Sequence, residues 1–134
     1  MGDMRPGLIL LAHGARDPRW REPFERLVER IGARRPDLGV RLAFLELMTP
    51  DLLSAGEQLV AEGCDALHVV PVFLGQGGHV REDVPMRVDA LRQRCSGIPV
   101  TQSRAVGEDA GVLDALASFC VGEMDAARKP QSQS

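Results

Sequence analysis

Three residues with metal-ligand chemistry are evenly spaced along the chain, about one β-α unit apart: His13, Glu46 and His79. Two imidazoles and a carboxylate suit Co, Ni, Fe or Zn far better than Ca or Mg, which favour an all-oxygen shell. A site with so few protein ligands leaves coordination positions open for a substrate's own donor atoms. The same side chains can move protons, because neutral imidazole accepts a proton near neutral pH. Taken singly, each has a plainer reading. His13, before Gly14, is also an ordinary polar turn residue, and Glu46 an ordinary strand-end acid. His79 follows Gly75-Gln76-Gly77-Gly78, a stretch that could cradle a phosphate at a helix start. That stretch matches neither G-x-x-x-x-G-K-[ST] nor G-x-G-x-x-G, which makes the phosphate reading weak. The third histidine, His68, lies inside a strand pattern and is expected to be a hydrogen-bonded packing residue.

What must position these residues is an alternation of strands and helices. Residues 8–12 are a continuous apolar run ending at His13-Gly14, the pattern of a parallel strand buried on both faces. Residues 18–34 follow as a helix with Phe24, Leu27, Val28 and Ile31 on one face. Residues 40–47 read as a second strand. Thr49-Pro50-Asp51 then reads as a helix start with Thr49 as the cap, the helix running to Glu62 and stopping at Gly63. Residues 66–74 are the strongest strand, followed by the glycine-rich turn 75–79 and a helix over about 81–94. Proline is tolerated only in a first turn, so Pro85 predicts a helix proper starting near Asp83 or Val84. Residues 98–102 form a short fourth strand. A last helix over 108–124 is expected to turn Val112, Leu113, Leu116, Phe119 and Cys120 inward.

The β-α-β-α-β-α-β-α order predicts an α/β fold, a single domain over residues 1–126 with a four-stranded parallel sheet and helices on both faces. Residues 127–134 are expected to be a polar C-terminal tail, disordered from Lys129 to Ser134. In such sheets ligands bind beyond the carboxyl ends of the strands, where strand order reverses. The first three strands place His13, Glu46 and His79 along that one edge.

Composition narrows the class. The chain has 134 residues, one domain by size, with 44% hydrophobic and 26% charged residues. Its formal net charge of -3 gives no reason to expect nucleic acid or an anionic membrane as partner. Cys64, Cys95 and Cys120 form no C-x-x-C pair, and are expected to be reduced and mostly buried. No stretch approaches the ~20 apolar residues of a membrane helix, and no secretory leader is evident, so a soluble cytoplasmic protein is expected.

Specific motifs add to this reading. Leu11-Ala12-His13-Gly14-Ala15-Arg16-Asp17-Pro18 resembles the H-G-S-R-x-P-like opening motif of the sirohydrochlorin chelatase family, the CbiX/SirB type. Ala43-Phe44-Leu45-Glu46 followed by Thr49-Pro50 is similar to its second motif. The third and most specific is matched by Val70-Pro71-Val72-Phe73-Leu74 and then Gly77-Gly78-His79-Val80-Arg81-Glu82-Asp83-Val84-Pro85. The resemblance spans residues 7–120 and departs at Ala15, where many members carry serine. It implies an ATP-independent class II chelatase, needing no nucleotide, that inserts Co²⁺, Fe²⁺ or Ni²⁺ as substrate into sirohydrochlorin. It maps the family's metal histidines onto His13 and His79 and its acidic group onto Glu46, jointly binding metal and accepting pyrrole protons. Arg16 and Arg81 become candidate anchors for the substrate's carboxylates. Gly75, Gly77 and Gly78 would let the backbone approach a flat macrocycle. Met48 and Phe73 are candidate pocket residues, with core packing the stronger expectation for Phe73. The single-domain length is that of the short forms, which implies a homodimer.

Two other classes compete. A metal or tetrapyrrole carrier of the same fold would use the same ligands without accelerating insertion. A phosphoryl-transfer enzyme with His13 as nucleophile is discounted, because histidine phosphatases place an arginine directly before the histidine and this chain has Ala12.

Overall fold

A computed structural model describes residues 4–128. The strands are β1 (Pro6–Ala12), β2 (Gly39–Phe44), β3 (Ala66–Pro71) and β4 (Val100–Gln102); the helices are α1 (Glu22–Arg34), α2 (Leu52–Ala61), α3 (Gly78–Arg94) and α4 (Ala110–Arg128). All strand pairs are parallel and the sheet order is β2-β1-β3-β4. Connections leave β1 toward β2 and then cross to β3 on its other side. The order therefore reverses at β1/β3, the crevice where such sheets bind ligands.

Alternation within each strand sorts the side chains between two layers. Ile9, Leu11, Ala43, Leu67 and Val69 form the larger core with Leu52, Ala55 and Leu59 of α2 and Val84, Val88 and Leu91 of α3. Leu10, Ala12, Leu42 and Phe44 face the opposite way, against Trp20, Phe24, Leu27, Val28 and Ile31. Gly56 belongs to the first layer for a steric reason: a Cβ there would come within 2.5 Å of Leu91 Cδ1, so glycine lets α2 and α3 touch. Helices thus flank both faces, as expected.

The expectation for α4 does not hold. None of its residues is buried, and every residue from Leu113 to Arg128 is exposed, including Leu113, Leu116, Phe119 and Cys120. Burial is the usual fate of such an apolar arc; within one chain it meets no partner layer. Cys120 likewise departs from the expected buried thiol, whereas Cys64 and Cys95 are buried. Residues 127 and 128 continue α4 rather than beginning a tail, and residues 129–134 lie outside the described residues.

Two helix starts also differ from expectation. The α2 cap is Asp51, whose carboxylate accepts from the Ser54 amide at 2.8 Å, not Thr49; the Thr49-Pro50 bond is cis. Helix α3 begins at Gly78, with Pro85 inside it. Pro85 is exposed, so water can satisfy the carbonyl it leaves without a partner, while Val84, Val88 and Leu91 anchor the same helix from below. Among the described residues no helix is long and apolar enough to cross a membrane.

Candidate functional site

His13 immediately follows β1, and its position is set from two sides. The ladder between β1 and β2 continues past the strands: the Leu45 amide donates to the Ala12 carbonyl and the Glu46 amide to the His13 carbonyl, both at 3.0 Å. These bonds tie the His13 and Glu46 backbones together. Gly14 makes the pairing sterically feasible. Its φ is +99°, and a Cβ there would lie 1.8 Å from the Glu46 carbonyl oxygen. From the other side, the imidazole of His13 rests on the Phe73 ring, with centroids 4.5 Å apart and planes tilted by 39°. Phe73 is itself 4% exposed. Its carbonyl accepts from the Gly107 amide at 2.9 Å, in the 3₁₀ turn Val106–Glu108. The fourth β-α connection thereby braces the residue that supports His13.

Glu46 lies two residues beyond β2 and is exposed. Its carbonyl accepts from the Met48 amide at 2.8 Å across Leu47, whose φ is 66°. This tight reversal holds residue 46 at the rim. His79 was expected at the end of a loop; it is instead the second residue of α3, after Gly77 at the cap position. It too is exposed.

His13, Glu46 and His79 line one cleft of about 450 Å³ at the carboxyl edge of the sheet. Glu82, Asp83 and Arg87 complete its polar wall and Leu45 and Met86 its apolar one. Among the described residues, no three of His, Cys, Asp and Glu converge closely enough to form a ready-made metal cage. The three share a cleft as separate donors around open space. A second cavity of about 570 Å³ continues from it, sharing Leu45, Glu46 and Arg87 and adding Met48, Thr49 and Ser54. Together they make a groove of the size range that small-molecule sites occupy.

The charged groups of this groove were only partly foreseen. Arg16 and Arg81 are exposed, and neither lines the cleft. The arginine that does is Arg87, at the boundary of both cavities. Asp83 accepts from Arg87 Nε at 2.7 Å, one helical turn away, which orients the guanidinium and leaves its Nη donors for a ligand. An i, i+4 Asp–Arg pair in the sequence was the available signal, but only the helix starting at Gly78 puts it over the cleft. Gly77 and Gly78 sit at the exposed α3 start, outside the cleft wall. A Cβ at Gly75, Gly77 or Gly78 would meet nothing within 4 Å, so internal packing does not demand glycine at any of them. Met48 borders the second cavity, and Phe73 is a buried support for His13. His68 is a packing residue, its Nδ1 2.5 Å from Thr101 Oγ1 across β3 and β4.

Residues 7–120 match the model of the CbiX family. Among curated relatives, the sirohydrochlorin cobaltochelatase of Sulfolobus acidocaldarius is 27% identical over 110 residues, covering 82% of this chain and 85% of that protein. That of Methanosarcina barkeri is 28% identical over 116 residues, covering 81% and 88%. Among solved structures, a CbiX protein of cobalamin (vitamin B12) biosynthesis from Marinobacter aquaeolei superposes with a TM-score of 0.78 at 30% identity. It is matched over 90% of this chain and 98% of that one. The chelatase SirB from Bacillus subtilis subspecies spizizenii, solved with cobalt, superposes with a TM-score of 0.76 at 23% identity. The chain covers 51% of SirB, about half its length.

Proposed function

Because this chain belongs to the CbiX family, we propose that it is an ATP-independent chelatase inserting a divalent metal into sirohydrochlorin or a closely related tetrapyrrole. The observation that carries this reading is the single cleft at the strand-order reversal lined by His13, Glu46 and His79. The names of the relatives favour Co²⁺ as the metal substrate, with Fe²⁺ and Ni²⁺ as its competitors. The reading places the enzyme in the cytoplasm and makes it a homodimer, the latter supported by the apolar face that α4 leaves uncovered.

Insertion requires a metal brought to one face of the macrocycle and two pyrrole N–H protons removed. His13 and His79 hold metal and accept protons, with Glu46 as auxiliary ligand or base. A set of separated donors suits transfer, because a closed cage would compete with the pyrrole nitrogens for the ion. Arg87 offers fork-shaped donors to a peripheral carboxylate of the substrate. Arg16 and Arg81, on the surrounding surface, could reach only carboxylates that project beyond the groove. The glycine ledge 75–78 has no side-chain requirement of its own, which suits close approach of a planar ligand.

The test is anaerobic insertion of Co²⁺ into sirohydrochlorin, followed by absorbance and repeated with Fe²⁺ and Ni²⁺ in competition. His79→Ala is expected to lose at least about 100-fold in kcat, within the usual range for removing an acid–base group. Unchanged rates in both His13→Ala and His79→Ala would overturn the site. A purified protein that binds tetrapyrrole but never exceeds the spontaneous insertion rate is a carrier.

A further inference from the structure

Apart from Met4 and the residues of α4, the large hydrophobic side chains exposed among the described residues are Leu47, Leu74 and Met86, at 60%, 67% and 69%. Leu47 and Leu74 each follow a strand, β2 and β3, and Met86 lines the donor cleft from α3. A single exposed leucine or methionine is ordinary on a protein surface. Leu47 differs because its backbone is strained as well. The Met48 amide donates to the Glu46 carbonyl at 2.8 Å across Leu47, whose φ is 66°. This is a γ-turn with its central residue at positive φ, the rarer and more strained of the two γ-turn forms. Glycine and asparagine accept such a backbone far more readily than leucine does. No packing within the chain offsets the strain, since Leu47 belongs to neither core cluster. Bonds on either side impose the turn: the Leu45 and Glu46 amides are held by the Ala12 and His13 carbonyls at 3.0 Å, and the Phe44 amide by the Pro50 carbonyl at 2.9 Å. An apolar side chain is thereby held out into water between Glu46, which lines both cavities of the groove, and Met48, which lines the second.

We propose that Leu47 and Met86 are specificity-determining residues that grip the apolar ring of the tetrapyrrole, Leu47 from the β2 loop and Met86 from α3. The proposal rests on the chelatase reading above and concerns the part of the substrate that the polar groups leave uncovered. His13, Glu46, His79 and Arg87 address the metal, the pyrrole protons and a peripheral carboxylate. None of them removes the flat hydrocarbon of the ring from water, which is the non-directional source of affinity for such a ligand. The two residues suit complementary parts of that task. Leu47 is a branched side chain on a pinned backbone, and Met86 is an unbranched thioether able to follow an irregular outline. Leu74 falls outside the grip, because neither it nor the adjoining Phe73 and Gly75 lines either cavity.

Absorbance titration of metal-free sirohydrochlorin into the full chain tests it, with thermal melts of the same samples. Leu47→Asn is expected to weaken binding about tenfold, the part of a leucine's burial that a one-sided contact supplies. The same variant should keep or raise the wild-type Tm, because asparagine accepts the positive φ. A residue that serves only the fold gives the opposite pairing, a lower Tm with undiminished affinity. Leu47→Gly relaxes the turn by a different route and must repeat the loss of binding. Met86→Ser should also weaken binding about tenfold, and the double variant about 100-fold, since the two side chains stand on separate elements. These losses should be the same at ~0.5 M salt, where contacts between exposed charges are screened. If both Leu47 variants bind within about twofold of wild type, or Leu47→Asn lowers Tm, the grip is overturned while the chelatase reading stands. Wild-type protein that neither binds sirohydrochlorin nor speeds cobalt insertion overturns the chelatase reading, and the grip with it.

Discussion

A Cβ at position 14 would sit 1.8 Å from the Glu46 carbonyl oxygen, in a residue already at φ +99°. Gly14→Ala therefore meets two separate penalties, an unfavourable backbone region and a clash with backbone that cannot rotate away. We expect it to cost at least about 2 kcal/mol of stability. Its effect on insertion should exceed what that loss explains, because relief of the clash must part the two loops carrying His13 and Glu46. Denaturant melts alongside kcat separate the two effects; a variant with wild-type stability and rate refutes this account of Gly14. Arg87→Ala tests the groove differently. With its neighbour Asp83 retained, it should raise KM for the tetrapyrrole about tenfold or more and leave kcat nearly unchanged, as loss of a peripheral anchor does. A fall in kcat at constant KM would assign Arg87 to the reacting centre instead. The gathering of His13, Glu46 and His79 around one cleft was legible because strand-end positions are visible in the sequence. Arg87 was not, because its place depends on where α3 begins.

Helix starts are where local sequence signals competed most closely. Thr49-Pro50-Asp51 offers two candidate caps two residues apart, and Asp51 prevails because its carboxylate accepts from the Ser54 amide. That bond is the largest cause holding the Asp51 carboxyl below its ordinary range, with smaller contributions from Arg87 and Arg94. A carboxyl depressed in the folded state contributes stability that is present above its unfolded pKa and lost as pH falls through the folded one. Asp51→Ala should cost about 1 kcal/mol at neutral pH. Its deficit relative to wild type should shrink as pH drops below about 4, where the unfolded carboxyl begins to protonate. Asp51→Asn, which can still cap, should recover most of the loss. A deficit that stays constant down to acid pH would mean that Asp51 acts through something other than its charge. Pro85 misled in the opposite direction. An interior proline removes an amide donor and crowds the preceding turn wherever it sits; in α3 that cost is met because Val84, Val88 and Leu91 hold the helix to the core while the freed carbonyl faces water.

At the scale of the molecule, the β-α alternation fixed the sheet, its parallel pairing and the edge on which ligands collect, because each depends only on element order and handed connections. The fate of α4 was beyond that reasoning. An apolar arc declares that something covers it, yet is silent on whether the cover belongs to the same chain. The donor cleft raises a parallel question about metal, since His13, Glu46 and His79 face common space without forming a closed cage. If they bind the ion together, Co²⁺ must stabilise the folded state over the unfolded one by mass action. At a concentration 100-fold above the dissociation constant this amounts to about 2.7 kcal/mol, or on the order of 10 °C in Tm for a chain of this size. The shift should be small for Mg²⁺, which disfavours imidazole. It should fall by more than half in His13→Ala and again in His79→Ala, since both residues contribute to one ion. If the two single variants keep the full cobalt shift while insertion is lost, the histidines act on the pyrrole protons and the ion is held elsewhere along the groove.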